Sequence, residues 1–270
     1  MALLNFIHQR IRDIIVAFAF LGVMILLGFA AMWAYKEFKT SPPYIDPDRY
    51  PVRGIDISRH NGMANLDAAA ASGIEFVFIK ASEGASMKDE NFNINHQKAG
   101  HAGLMRGAYH FFRFDRDGVV QARNLLDVIR GRELELGIAI DIEDAGNPIK
   151  VDPELIRKRL ADMMEYLVLK GYRPMLYTNR AGYEKYLLND FAGLPLWICN
   201  FSSRPFDAEW QFWQFNHHGK VDGIPTEVDL NVFVGSRADW LEYLRSSSAP
   251  LDNRSNDPET IDFSISTPSD

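Results

Sequence analysis

Gly137-Ile138-Ala139-Ile140-Asp141-Ile142-Glu143-Asp144 is a short apolar run, rich in β-branched residues, that breaks into acids at its end. A helix follows it. Asp152 stands as the cap, Pro153 falls in the first turn, and Ile156, Leu160, Met163, Met164 and Leu167 recur on one face before Gly171 stops the segment. A strand followed by a helix apolar on one side only is one unit of a sheet covered by helices. Working outward, the same alternation fills the sequence between Pro51 and Leu244. Strands are expected over Val52–Ile57, Glu75–Lys80, Leu104–Phe111, Gly137–Ile142, Pro174–Thr178, Leu196–Cys199, Gln211–Phe215 and Val228–Val232. Eight mainly parallel strands suit a closed α/β barrel of TIM-like kind. The last three leave too little sequence between them for crossover helices, so the final third of the barrel is expected to be irregular.

The 270 residues are 47% hydrophobic and 24% charged, which is ordinary globular usage and allows one large core. A formal net charge of −7 with no basic block argues against nucleic-acid binding. The single cysteine, Cys199, excludes an intrachain disulfide; between apolar neighbours it reads as a buried thiol rather than a nucleophile. From Ile14 to Tyr35 there is no charged residue, and roughly twenty apolar residues suffice for a helix to cross the hydrocarbon core. This run exceeds the 7 to 15 or so apolar residues of a cleaved leader, so it reads as an anchor. Arg10 and Arg12 on one side nearly balance Lys36 and Lys39 on the other, and charge does not set the orientation. The expected organisation is a short cytoplasmic N-terminus over residues 1–13, a transmembrane anchor over 14–35, a Pro-rich spacer over 36–50, a barrel over 51–245 and a disordered polar tail over 246–270.

Active sites of such barrels lie at the C-terminal ends of the strands, so acids interrupting apolar strands there carry the information. Asp56, Asp141, Glu143 and Asp229 qualify. A single Asp at a strand end is more often a cap or turn residue; four together are not explained that way. Alternation puts Asp141 and Glu143 on one face, two rises of about 3.3 Å apart. If that face is the barrel interior, Asp56 and Asp229 arrive from the first and last strands, which closure makes neighbours. Carboxylates so crowded cannot all ionise cheaply, and one should keep its proton near neutral pH. Glu143, with the longer side chain, is the expected general acid. A hard-metal site is the alternative use of such a cluster, while the His217-His218 pair lacks the spacing of zinc ligands.

Several segments together resemble glycoside hydrolase family 25, the Chalaropsis-type lysozymes. They are Gly54-Ile55-Asp56-Ile57-Ser58, Phe76 through Gly84, Gly107-Ala108-Tyr109-His110-Phe111, Asp141-Ile142-Glu143, Tyr177-Thr178, Leu196-Trp197-Ile198, Trp213-Gln214-Phe215 and Val228 through Phe233. The resemblance implies an irregular β/α barrel, peptidoglycan glycan strands as substrate, cleavage of the β-1,4 bond between N-acetylmuramic acid and N-acetylglucosamine, and no metal or organic cofactor. It gives Glu143 the acid role with Asp141 as partner, and makes Asp56 and Asp229 the rest of an acidic floor. Both a retaining route assisted by the substrate's N-acetyl group and an inverting route with Asp56 or Asp229 as base stay open; the Asp-Xaa-Glu pattern favours the first.

Tyr109, Lys80, Tyr177, Trp197, Trp213 and Gln214 are the candidates to line the sugar groove, with Lys80 placed to pair with the acids. The sequence departs from the family pattern at Cys199-Asn200-Phe201, where a tyrosine often stands, and at Ser58-Arg59-His60-Asn61, which lacks an aromatic residue. The rival readings are a catalytically silent peptidoglycan-binding module held in the membrane and a metal-dependent hydrolase. A monomer is expected, inserted in a bacterial inner membrane with its barrel on the periplasmic or extracellular side.

Overall fold

The computed structural model describes residues 2–40, 42–148, 150–191, 193–205 and 209–248, and divides into two compact units, residues 1–42 and 43–270. The first unit is a single helix, α1 (Ala2–Thr40), longer at both ends than the apolar run that predicts it. Within it, His8–Trp33 is 26 residues with a mean hydropathy of 2.8, long and apolar enough to cross a bilayer. Its described apolar side chains, Phe18, Leu26 and Trp33 among them, are exposed.

The second unit is a closed barrel. Its strands are β1 (Arg53–Ile57), β2 (Phe76–Glu83), β4 (Met105–Phe111), β5 (Gly137–Asp141), β6 (Pro174–Asn179), β7 (Leu196–Cys199), β8 (Phe212–Gly219) and β9 (Val228–Phe233), with the two-residue β3 (Met87–Lys88) hydrogen-bonded outside the ring on β2. Pairing runs round from β1 through β2 and β4 to β9 and back to β1, so eight strands close the cylinder. All neighbours are parallel except that β9 runs antiparallel to both β1 and β8. The irregular final third is therefore a reversed strand. Among the described residues no helix separates β7, β8 and β9, whereas α2 (Leu66–Ala71), α3 (Phe92–His101), α4 (Gly118–Ile129), α5 (Pro153–Leu169) and the short α6 (Arg180–Gly182), continued by a π-helical turn at Tyr183–Leu187, separate the earlier strands. The α5 cap forms as its sequence requires, Asp152 accepting from Glu154 N, and its apolar face is buried.

Side-chain alternation divides the apolar residues into two cores. Outward residues such as Ile55, Val77, Ile79, Ile138 and Ile140 pack under the helices. Inward ones, Phe76, Phe78, Ala139, Met175, Trp197, Phe212 and Phe233, fill the cylinder. Gly54 and Gly107 make room for this filling, because a Cβ at either would stand 2.3 Å from the Phe76 or Phe78 ring. The last helix, α7 (Arg237–Ser248), plugs the end of the barrel where the parallel strands start: Trp240 and Tyr243 join the inner core, and Tyr243 Oη donates to Leu136 O. Phe78 stacks on Trp197 at 4.4 Å between ring centroids, and that pair is the upper limit of the apolar filling.

Two expected boundaries change. Lys36–Thr40 finishes α1, while Ile45 and the buried Tyr50 pack against the barrel, so the stretch 36–50 is not wholly a spacer. Of the polar tail expected over 246–270, Ser246, Ser247 and Ser248 complete α7; the remainder lies outside the described residues.

Candidate active site

Above the Phe78–Trp197 pair, at the end of the barrel where the parallel strands finish, is a cavity of about 320 Å³. Asp56, Asp141, Glu143 and Asp229 all line it, with Lys80, Tyr109, Tyr177, Trp197 and Gln214. Backbone register explains the convergence. Asp141 pairs with Phe111 on one side and Tyr177 on the other, and Asp56 lies directly opposite Asp229 across the antiparallel β1–β9 ladder. Asp229 sits at the beginning of its strand, not the end. It reaches the same mouth as the other acids because β9 is reversed. A larger depression of about 570 Å³ lies at the opposite end of the barrel, but its Glu133 and Glu135 are both tied to Arg106 and no cluster of acids faces it.

The floor is a hydrogen-bonded chain. Tyr177 Oη donates to Gln214 Oε1, Gln214 Nε2 donates to Asp56 Oδ2, Asn231 Nδ2 donates to the same oxygen, and Trp197 Nε1 donates to Asn231 Oδ1, each at 2.8 Å. Burial raises the Asp56 carboxyl, while the Asn231 and Gln214 donors pull it down. Asp229 is pushed up to about 9, first by burial, then by the Asp56 charge and by the hydrogen bond it shares with Asp56. Asp141 is held well above the ordinary carboxylate range by burial and then by the Glu143 charge. Burial, then the charge of Asp56, raises Glu143. Burial and mutual repulsion accordingly favour a proton on the Asp141–Glu143 pair, and Lys80 works against this by favouring both anions.

The loop that carries Glu143 is pinned from three sides. Asn147 Nδ2 donates to Glu143 O and to Phe112 O, and Asn147 Oδ1 accepts from Phe114 N. Thr178 Oγ1 donates to Ile142 O at 2.6 Å, and Tyr186 Oη donates to Asp144 Oδ1 at 2.5 Å. Asp141 Oδ1 is buried and has no hydrogen-bond partner.

Two candidates from the sequence need correction. Trp213 does not reach the cavity: neighbours on a strand face opposite sides, and with Gln214 inward its ring packs outward on Tyr50, Trp210 and Phe215 while Nε1 donates to Asn200 O. Lys80 faces the cavity, yet its direct partner is Glu83, at 2.8 Å, rather than any of the four acids. The structure also adds Ser58, His60, Phe111 and Phe201 to the lining, and Asn231 behind it. Asn231 was detectable, since it shares a strand face with Asp229. His60 comes from a single 3-10 turn, Arg59–Asn61, and Phe201 from a loop, both too short for periodicity to mark them.

Convergent carboxyls at a barrel mouth, two of them at one strand end and both raised by burial, are the acid set of a glycoside hydrolase. Comparison with known proteins gives the particular lineage. The profile of Glycosyl hydrolases family 25 matches residues 55–224, and the chain belongs to that family. A relative in Escherichia coli, YegX, is 31% identical over 220 residues, covering 78% of this chain and 79% of that one. Lysozyme M1 of Streptomyces globisporus is 30% identical over 209 residues, covering 71% and 70%. A family 25 glycosyl hydrolase of Bacillus anthracis superposes with a TM-score of 0.69 at 28% identity, over 75% of this chain and 97% of that chain.

Proposed function

We propose that the protein is a muramidase that hydrolyses the β-1,4 bond between N-acetylmuramic acid and N-acetylglucosamine in peptidoglycan. The observation that carries this reading is the placement of Asp141 and Glu143 one residue apart at the barrel mouth, with Asp141 Oδ1 buried and unpartnered. That oxygen suits the N–H of a substrate acetamido group. When the N–H arrives, Asp141 is stabilised as the anion and the pair's proton passes to Glu143. Glu143 then protonates the glycosidic oxygen while the acetamido carbonyl oxygen bonds to the anomeric carbon and the C–O bond breaks. Water adds to the resulting oxazolinium ion, Glu143 now taking a proton from it, and the configuration is retained. The names of relatives such as Lysozyme M1 support the substrate.

Glu143→Gln keeps the shape of the side chain and removes the acid, and should lower kcat by at least about a hundredfold on purified peptidoglycan, measured as new reducing ends. Retention of parental rates would refute the assignment. A metal-dependent hydrolase would lose activity to chelator, and a silent binding module would show no turnover at all.

Helix α1 supports a further part of the reading: it anchors the chain in a bacterial inner membrane with the barrel on the outer side, close to its substrate. A secretory leader can also stand at this place in a chain, and the two are separated by whether the chain stays in the membrane fraction after alkaline carbonate washing. Release into the wash would refute the anchor.

A further inference from the structure

Trp197 Nε1 can only donate, so its bond to Asn231 Oδ1 fixes which way that amide faces and commits Nδ2 to Asp56. Gln214 reaches the same carboxylate oxygen with its own N–H, its carbonyl being taken by Tyr177. Asp56 Oδ2 therefore accepts two oriented donors, from side chains at most 4% exposed. Asp229 stands directly opposite Asp56 across the β1–β9 ladder and lines the same cavity, and two carboxylates so placed repel unless one of them is discharged. Two amide donors favour the anion at Asp56; among the described hydrogen bonds none donates to the Asp229 carboxyl from a side-chain amide. The proton belongs on Asp229.

We propose that Asn231, together with Gln214, is a positioning residue that holds Asp56 as an anion and so leaves Asp229 as the neutral acid of the facing pair. The proposal rests on the reading of this cavity as the glycan-cleaving site and adds to it. A protonated Asp229 cannot activate water, and Asp56, with two amide donors on Oδ2, is a weak base. No free base then stands on the floor, which leaves the substrate's own acetamido group as the nucleophile. The burial that raises Asp229 acts in the same direction.

The test uses the full chain in detergent, with peptidoglycan as substrate. Asp229→Asn should lose at least about tenfold less kcat than Asp56→Asn, because an amide, like the un-ionised acid, is neutral at that position. Asp56→Asn should lose at least about a hundredfold, since two amides then face an amide. Asn231→Leu should lower kcat with KM little changed. Equal losses for Asp229→Asn and Asp56→Asn, or parental kcat in Asn231→Leu, would overturn the proposal. An infrared difference at pH 7 between parent and Asp229→Asn gives a readout that does not depend on turnover. The carbonyl band of an un-ionised acid is expected in the parent, and a difference made only of a carboxylate band overturns the proposal. If the parent itself fails to cut peptidoglycan, the substrate reading falls while the infrared measurement still decides where the proton sits.

Discussion

His110 offers a test of the fold's polar core by acid. Its side chain is fully buried between β4 and α4, with Nδ1 at 2.8 Å from Ser82 Oγ and Nε2 at 3.2 Å from Gln121 Oε1. Gln121 gives its N–H groups to Arg113 O and Arg116 O, so its oxygen faces His110 and the imidazole proton is assigned to Nε2. Burial lowers the imidazole from its usual 6.5 to about 4. Between those values the unfolded chain binds more protons than the folded one, so the contribution is complete above 6.5 and is lost as pH falls towards 4. At pH 5 the unfolded imidazole is about 1.5 pH units below its midpoint while the folded one remains neutral. That corresponds to about 2 kcal/mol, or a drop of roughly 4 to 8 °C in Tm for a domain of this size. His110→Asn keeps a group near the Nδ1 position and removes the titration. Its cost in stability should therefore be about 2 kcal/mol smaller at pH 5 than at pH 7, read from thermal unfolding of both proteins by tryptophan fluorescence. A stability difference that is the same at both pH values would refute the reasoning.

Three further expectations concern turnover. Lys80→Met removes a cation that favours the anions of both Asp141 and Glu143, so the alkaline limb of the kcat/KM profile should move to higher pH; no movement would show that Glu83 already neutralises it. Asn147→Ala frees the Glu143 carbonyl and the adjoining loop, and should lower kcat on the order of ten- to a hundredfold with a smaller change in KM. Phe201 lines the cavity and packs against His217 with ring centroids 4.1 Å apart, and Phe201→Ala should raise KM about three- to tenfold with kcat retained. An unchanged KM would remove Phe201 from the substrate groove.

Much of this was legible because alternation is a strong signal in a barrel with two cores. The Asp141 and Glu143 face, the buried stripe of α5 and all eight ring strands follow from it. Direction is different: a strand has the same period whichever way it runs, so nothing in Val228-Asp229-Leu230-Asn231 announces that β9 is reversed. The two residues of β3 are too few to show any period. Trp213 shows a failure that parity could have prevented, since adjacent residues of one strand cannot both face inward and Gln214 already did. Lys80 lost its expected partners to Glu83, which β2 reaches by running three residues past its expected end. Ile45 and Tyr50 lie among prolines and acids, and composition alone could not show that they dock on the barrel.

The reversed strand also explains why the site costs stability. Antiparallel pairing sets Asp56 and Asp229 directly opposite, with α-carbons about 4.5 to 5.5 Å apart, and like charges there are destabilising unless one is discharged. Discharging Asp229 raises it to about 9, far above the unfolded 3.8. A carboxyl raised in this way contributes fully below 3.8 and loses stability steadily as pH climbs towards 9. Between pH 5 and 7 that loss is on the order of 3 kcal/mol from Asp229 alone, and Asp141 and Glu143, also raised, act with the same sign. His110 changes by only about 2 kcal/mol in the other direction over the same interval. The carboxyls win, so the parent protein should melt at a higher temperature at pH 5 than at pH 7 even though its buried histidine favours the reverse. A parent Tm that rose from pH 5 to pH 7 would mean that Asp229, Asp141 and Glu143 are ionised in the folded state and that the proton needed for glycoside cleavage is not stored there.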